Sequence, residues 1–313
     1  MSEMSGVFGV NENPPAGTDV DFDYDGVIIN SGDYLRVERD EKAKGITVNS
    51  GGRLQIDWVE INKGDQPFPD FWNHYTQDTI INSGGRMDVV SGYAQNTQIN
   101  VGGIQNVYGP IIRYEDDVTW KSTYVVPEEL ISAIDTTIDG GTQTTIAANT
   151  LRTTVNDGGR LAMHGGTADS LTVNAGGIAK IYTQDEISYD GEVSFRRVNF
   201  SGRTVNMTIN GGSAYLYAST SATGTQIGAG GVLTVNADAE AFDTTVSAGG
   251  SLIVLGSGRA SDTVLNGGSV HVATGGLVDN VTINSGNLYL YGGAILDGTV
   301  NVNGTVVLDD VAM

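Results

Sequence analysis

The strongest constraint on this chain is a short motif that keeps returning: a β-branched residue, Asn, a small residue, then Gly-Gly. It reads Val48-Asn49-Ser50-Gly51-Gly52 and comes back as Ile81-Asn82-Ser83-Gly84-Gly85 and Ile99-Asn100-Val101-Gly102-Gly103. Further copies start at Val155, Val173, Ile209 and Leu265, with weaker ones at Ile138, Ile227, Val246, Ile283 and Val302. Where copies follow without interruption, as from Gly141 to Gly159 to Gly177, the second Gly recurs about every 18 or 19 residues, the period of a solenoid coil.

After each Gly-Gly, apolar and polar residues alternate: Leu54 and Ile56, Met87 and Val89, Leu161 and Met163, Leu252 and Val254. A period of two is that of a strand with one face buried. A second alternating stretch precedes the next Asn, as in Thr97 with Ile99, Thr153 with Val155 and Thr244 with Val246. Each coil therefore reads strand, turn, strand, turn. A coil with so few apolar residues cannot fold alone, so neighbours must stack into one core. The expected fold is all-β: a right-handed parallel β-solenoid, or β-helix, the hand following from the crossover rule for parallel strands. Stacking accounts for the motif as well. Gly permits the positive φ of tight corners, and Asn at the same corner of successive coils builds an amide ladder. The repeated Thr stacks in the same way.

Three insertions interrupt the period, at about residues 57–76, 108–132 and 182–200, each after the first strand of a coil. Equivalent positions of a solenoid line one edge, so all three leave from one side, the usual place of a binding face. They carry every Trp, and the candidate recognition residues are Trp58, Phe68, Phe71, Trp72, Tyr75, Tyr114, Trp120, Tyr124, Tyr189 and Phe195. The competing reading is that these aromatics form small cores for the insertions. The third contains a hairpin signal at Tyr189-Asp190-Gly191-Glu192.

Residues 1–26 are expected to cap the coil stack, residues 27–304 to form the solenoid, and residues 305–313 to be a tail. Within the cap, Asp21, Asp23 and Asp25 precede Gly26 as in the opening of a calcium loop. Gly32 stands at the twelfth position, where such a loop needs Glu, so a capping strand is the preferred reading. The formal charge of −21 excludes a nucleic-acid partner, which needs a basic surface. No apolar run is long enough for a membrane-spanning helix, the start lacks the features of a signal peptide, and no cysteine exists for disulfides or thiolate sites.

Chemistry is weakly signalled. His74, His164 and His271 lack zinc-site spacing, and no nucleophile motif is present. Carboxylates in the insertions (Glu115, Asp116, Asp117, Glu128, Asp185, Glu186) would have to pair at about 5–9 Å to act as a glycosidase. No catalytic residue and no cofactor is assigned.

The run from Gly84 to Gly103, Gly-Gly-Arg-Met-Asp-Val-Val-Ser-Gly-Tyr-Ala-Gln-Asn-Thr-Gln-Ile-Asn-Val-Gly-Gly, resembles the AIDA-type repeat of autotransporter passengers, self-associating adhesins of Gram-negative bacteria. The likeness extends, with decay, from about residue 27 to 304 outside the insertions. It implies a non-enzymatic passenger at the bacterial cell surface or outside the cell, without membrane insertion. Its partners would be a protein or glycan of a host-cell or bacterial surface, further copies of itself, and a glycosyltransferase adding heptose to Ser or Thr. The alternatives are a phage tail-spike-like β-helix and a carbohydrate-active β-helix enzyme.

Overall fold

The computed structural model describes residues 21–38, 40–56, 74–90, 92–109, 112–115, 122–125, 131–183, 188–189, 193–194 and 201–309. They build an all-β parallel solenoid of about 12 turns with about 19 residues per turn, and no helix occurs among them. Each turn has three walls rather than the two strands expected. The first wall follows Gly-Gly (Arg53–Ile56, Arg86–Val89, Arg160–His164, Val232–Val235). The second comes next in the chain (Lys42–Lys44, Asn149–Leu151, Ser221–Thr223), and the third ends at the Asn turn (Thr47–Val48, Thr154–Val155, Gln226–Ile227). Strands of the three walls pair in parallel with their counterparts on neighbouring turns, as in Leu54↔Met87 with Ile56↔Val89, and Thr154↔Thr172 with Val155↔Val173.

The extra corner has a backbone cause. Asp78, Asn96, Asp135, Arg152, Ser170, Asn206, Asp243, Asp262 and Asn280 occupy the same place between the second and third walls, all with φ between 50° and 57°. Asn and Asp tolerate this left-handed region better than most residues. Arg152 is the least suited, and its guanidinium is fixed to the corner residue one turn below, Nε and Nη2 donating to the Asp135 carboxylate at 2.5 and 2.9 Å.

The two glycines of the motif do different jobs. Gly84 has φ 73°, whereas Gly85 does not need a positive φ; a Cβ there would lie 2.4 Å from the carbonyl oxygen of Val48 in the coil below. The second Gly is therefore a matter of close approach between coils.

Inside, the first and third walls supply the large residues. Leu54, Ile56, Met87, Leu161 and Met163 meet Ile29, Val48, Ile81, Ile99 and Val155, all essentially unexposed. The second wall brings mainly small residues inward: Ala43, Thr76, Ala94, Ala133, Thr150, Ala168, Thr204, Ala222, Ala241 and Ala260. Small side chains on one wall leave the volume that branched residues of the other two fill, as a close-packed interior requires. Each large side chain so buried contributes about 1.5–3 kcal/mol.

The Asn ladder forms. Nδ2 of Asn49 donates to Oδ1 of Asn30 at 2.9 Å, Asn82 to Asn49 at 2.9 Å and Asn100 to Asn82 at 2.8 Å. Asp139 then breaks the sequence of amides, because a carboxylate cannot donate down to Asn100. Gln98 bridges the gap: its Nε2 lies 3.1 Å from Oδ1 of Asn100 and 3.4 Å from Oδ2 of Asp139. The ladder resumes with Asn156 donating to Asp139 and Asn174 to Asn156.

The Thr expectation is corrected. Thr79, Thr136, Thr153, Thr225, Thr244 and Thr263 stack, but they point inward, and their buried hydroxyls have no hydrogen-bond partner. Successive rungs are about 4.8 Å apart, too far for hydroxyls to bond each other. These threonines stack by shape alone, as valines would.

At the two ends of the described stack, Tyr24–Asp25 pairs with Ala43 and Lys44, and Thr305–Asp309, expected as tail, pairs in register with Asn287 to Tyr291. A strand at 305–309 follows from the alternation of Val306 and Leu308, which continues the first wall.

Candidate recognition surface

The solenoid sets where each insertion departs. The chain leaves the first wall after Arg53–Ile56, Ile104–Tyr108 and Ile178–Tyr182, and re-enters the second wall at Tyr75, Ile131–Ile134 and Gly202–Val205. All three departures are thus the same corner of the coil. In uninterrupted turns that connection takes only a few residues, as between Thr142–Ile146 and Asn149–Leu151.

Within the second insertion, Ile112–Glu115 and Ser122–Val125 pair antiparallel, placing Arg113 opposite Tyr124 and Tyr114 opposite Thr123. Within the third, Ser188–Tyr189 pairs antiparallel with Val193–Ser194, which is the hairpin the Tyr-Asp-Gly-Glu signal predicted. Trp58, Phe68, Phe71, Trp72, Trp120 and Phe195 lie outside the described residues, as do the insertion carboxylates other than Glu115.

Tyr75 belongs to the stack instead of the recognition edge. It opens the strand Tyr75–Ile81, is only 6 % exposed, and stacks on Tyr93 one turn on with ring centroids 4.8 Å apart. Phe22 meets it edge-on at 6.3 Å. Burial raises the pKa of both tyrosines.

The segment read as a capping strand in preference to a calcium loop forms a short strand at Tyr24–Asp25. Asp21, Asp23 and Asp25 are exposed on alternate positions of an extended segment that docks on the coil. The Asp23 carboxylate accepts the backbone N–H of Lys42 at 2.8 Å. A strand holds such side chains in a row, whereas a calcium loop must wrap them round the ion. Among the described residues no group of three or more His, Asp or Glu is placed to hold a metal ion.

What the sequence reading passed over is the outward side of the first wall. Near the start of the stack its cations are spent internally. Asp88, 2 % exposed, receives Arg53 Nη2 at 3.0 Å, Arg86 Nε at 2.9 Å and Asn106 Nδ2 at 2.7 Å. Tyr34 donates its hydroxyl to Gln55 at 2.9 Å beneath the Arg53 guanidinium. Farther along, His164, Tyr182 and Tyr217 occupy one column on successive turns, with ring centroids 4.8 and 4.5 Å apart. Burial lowers the pKa of His164; burial, then the neighbouring Tyr217, raises that of Tyr182. Beside this column stand Lys180 and Tyr215, directly paired in the ladder, and Arg160. The third insertion leaves from Tyr182, and its first residue, Thr183, donates its hydroxyl to the carbonyl of Ala218 at 2.8 Å.

A second aromatic group lies higher on the same wall. His271 stacks on Tyr289 at 4.6 Å, with Nδ1 3.2 Å from the Tyr291 hydroxyl and Nε2 3.2 Å from Ser269 Oγ. The signal for both groups was present in the sequence, in the polar partners of the alternation after each Gly-Gly. Those positions differ from turn to turn, so a search for repetition does not see them.

No protein-family model and no curated protein sequence matches this chain. Among solved structures, a TibC-catalyzed hyper-glycosylated TibA fragment shares the fold: TM-score 0.65, 23 % identity, covering 92 % of this chain and 97 % of that one. The Dettilon tailspike protein gp208 aligns with TM-score 0.32 and 10 % identity over 90 % of this chain and 61 % of that one, too low to carry an argument. The AIDA-type reading of the repeat is consistent with the TibA likeness, and this chain is a parallel β-solenoid of that shape.

Proposed function

We propose that this protein is an adhesin-like passenger, displayed at a bacterial surface or outside the cell, whose coils are scaffold and whose edge of insertions recognises a surface ligand. The observation that carries the reading is the common departure point: three insertions leave three different turns at one corner and so share one edge. A regular stack gains nothing in stability from interrupting its period there, whereas a row of loops on a rigid frame is the usual way such folds present a binding face. The ligand class is a protein or glycan of another cell, and the role is non-enzymatic. The hyper-glycosylated state of the TibA fragment supports a further element, sugar on Ser or Thr added by a partner transferase.

The test replaces residues 57–73, 110–130 and 184–200, singly and together, with short Ser-Gly links in the full chain. Adhesion of cells displaying the triple variant should fall to background while circular dichroism keeps the β signature. Full adhesion by the triple variant would sink the recognition reading. Intact mass of the protein from its native host tests the sugar separately: heptose-sized increments are expected, and the bare polypeptide mass overturns that element alone.

A further inference from the structure

The acid of this chain is unevenly placed. Of 37 Asp and Glu residues, none stands at an outward first-wall position from Ile104 until Asp309, although a formal charge of −21 has to go somewhere. The carboxylates of neighbouring turns, such as Asp139 and Asp157, sit round the corner in the Asn-x-Gly-Gly turns, and others fill the left-handed corner on the far side. Within the acid-free strip, Arg160 is exposed and Lys180 half-exposed, one rung apart. Among the described residues neither makes a salt bridge, in contrast to Arg53 and Arg86 lower on the same wall. Alongside them run His164, Tyr182 and Tyr217, whose ring faces cover one another, so that edges and polar tips are what they present outward.

The geometry points to this strip, centred on Arg160, Lys180, Tyr182, Tyr215 and Tyr217, as a binding site for a linear anionic saccharide, a chain of uronate units lying along the solenoid axis. The cations supply charge-assisted bonds to carboxylates. Phenolic hydroxyls supply donors and acceptors to sugar hydroxyls. The absence of carboxylates from the described outward positions of this strip lowers the repulsion that the rest of this surface would exert on a polyanion. A wall of parallel strands with a rung every 4.8 Å or so suits an extended chain. This inference deepens the recognition reading by naming a ligand class, but it places the contact on the wall rather than in the insertions.

The probe is an oligogalacturonate, titrated calorimetrically into the full chain, with its methyl ester as the neutral form. The acid form should bind, weakening as salt rises, and the ester should not. R160E/K180E should weaken binding by more than about tenfold, the loss of roughly one charge-assisted contact or more. K42E/R203E changes the net charge equally on the second wall and should leave binding within about twofold. No binding, equal binding of the ester, or equal loss in both double variants would overturn the site. Tighter binding of polyglutamate than of oligogalacturonate would assign the strip to an acidic protein instead and so also overturn it. The insertion-deleted chain separates the two readings: if it loses adhesion yet binds oligogalacturonate, both stand, and if it keeps adhesion yet binds, only the strip does.

Discussion

Two surfaces of the same coils make opposite use of repetition. At the Asn turn after the third wall, one residue type returns on rung after rung, and each amide donates to the one below at 2.7–2.9 Å in Asn49, Asn82, Asn100 and Asn174. On the outward first wall, the column through His164 and Tyr182 to Tyr217 continues below as Ile146 and above as Asn236 and Leu255. Both columns sit on an equally regular backbone. Where stacking sets the residue, the residue repeats; where stacking only requires an outward side chain, it drifts, and drift is where recognition chemistry can be placed. The chain is in this sense its own alignment, with each coil a sample of what the fold demands.

The sharpest way to break that comparison is to substitute a position that repeats for close approach. Gly85→Ala puts a Cβ 2.4 Å from the Val48 carbonyl oxygen, and backbone on both sides leaves no flexible group to yield. A loss of roughly 2–4 kcal/mol is expected, read as a lower urea midpoint. By contrast Tyr215→Ser, at a drifting outward position, should stay within about 0.5 kcal/mol. Similar midpoints for the two variants would remove the distinction between repeated and drifting positions.

The inward Thr column tests whether repetition always means an optimum. The Thr153 hydroxyl is buried without a partner, so Thr153→Val replaces it with a methyl of nearly the same shape and removes an unmet desolvation cost. A gain of about 1 kcal/mol is expected. A loss instead would show that the hydroxyl is satisfied in solution, by water or by an altered rotamer.

The Asn ladder offers a smaller gain at its one carboxylate. Asp139→Asn supplies an N–H that can donate to Asn100 while its Oδ1 still accepts from Asn156, making the Gln98 bridge unnecessary. Stabilisation of about 0.5–1 kcal/mol is expected. Gln98→Ala should then be costly in the parent chain and nearly neutral beside Asp139→Asn, a non-additivity that a double-mutant cycle reads directly.

The same contrast explains what the sequence did and did not disclose. The Gly-Gly period and the alternation of Leu54 with Ile56 led directly to parallel stacking, and the Asn column led to the ladder. The third wall was missed because its corner is marked by scattered residues, Asp78, Asn96, Arg152 and Ser170 among them. Left-handed backbone selects a class of residues there rather than one type, and the class includes tolerated exceptions. Tyr75 was read as surface because aromatics near Trp72 suggested an insertion. Its pairing with Tyr93 depends on where the chain re-enters the second wall, which a broken period leaves unmarked. The aromatic and basic strip at Arg160 to Tyr217 became visible only once outward positions on separate turns were brought together.

The smallest expected effect concerns His164 and tests whether a drifting column is free of stability constraints altogether. Burial against Ile146 and Tyr182 lowers its pKa below the usual 6.5, so the folded protein prefers the neutral ring. Between the folded and unfolded pKa values the unfolded chain binds more protons, and stability therefore rises with pH in that window. The contribution is fully present above pH 6.5 or so and is lost as pH falls through the lowered value. His164→Phe keeps a ring in the stack and removes the titration, so its urea midpoint should fall less than that of the parent chain between neutral pH and the lowered pKa. Carboxylate titration and relief of net negative charge act on both proteins alike and cancel in the difference. Parallel pH profiles would mean that the imidazole reaches water when charged, and that even the stacked part of this column is unconstrained by the fold.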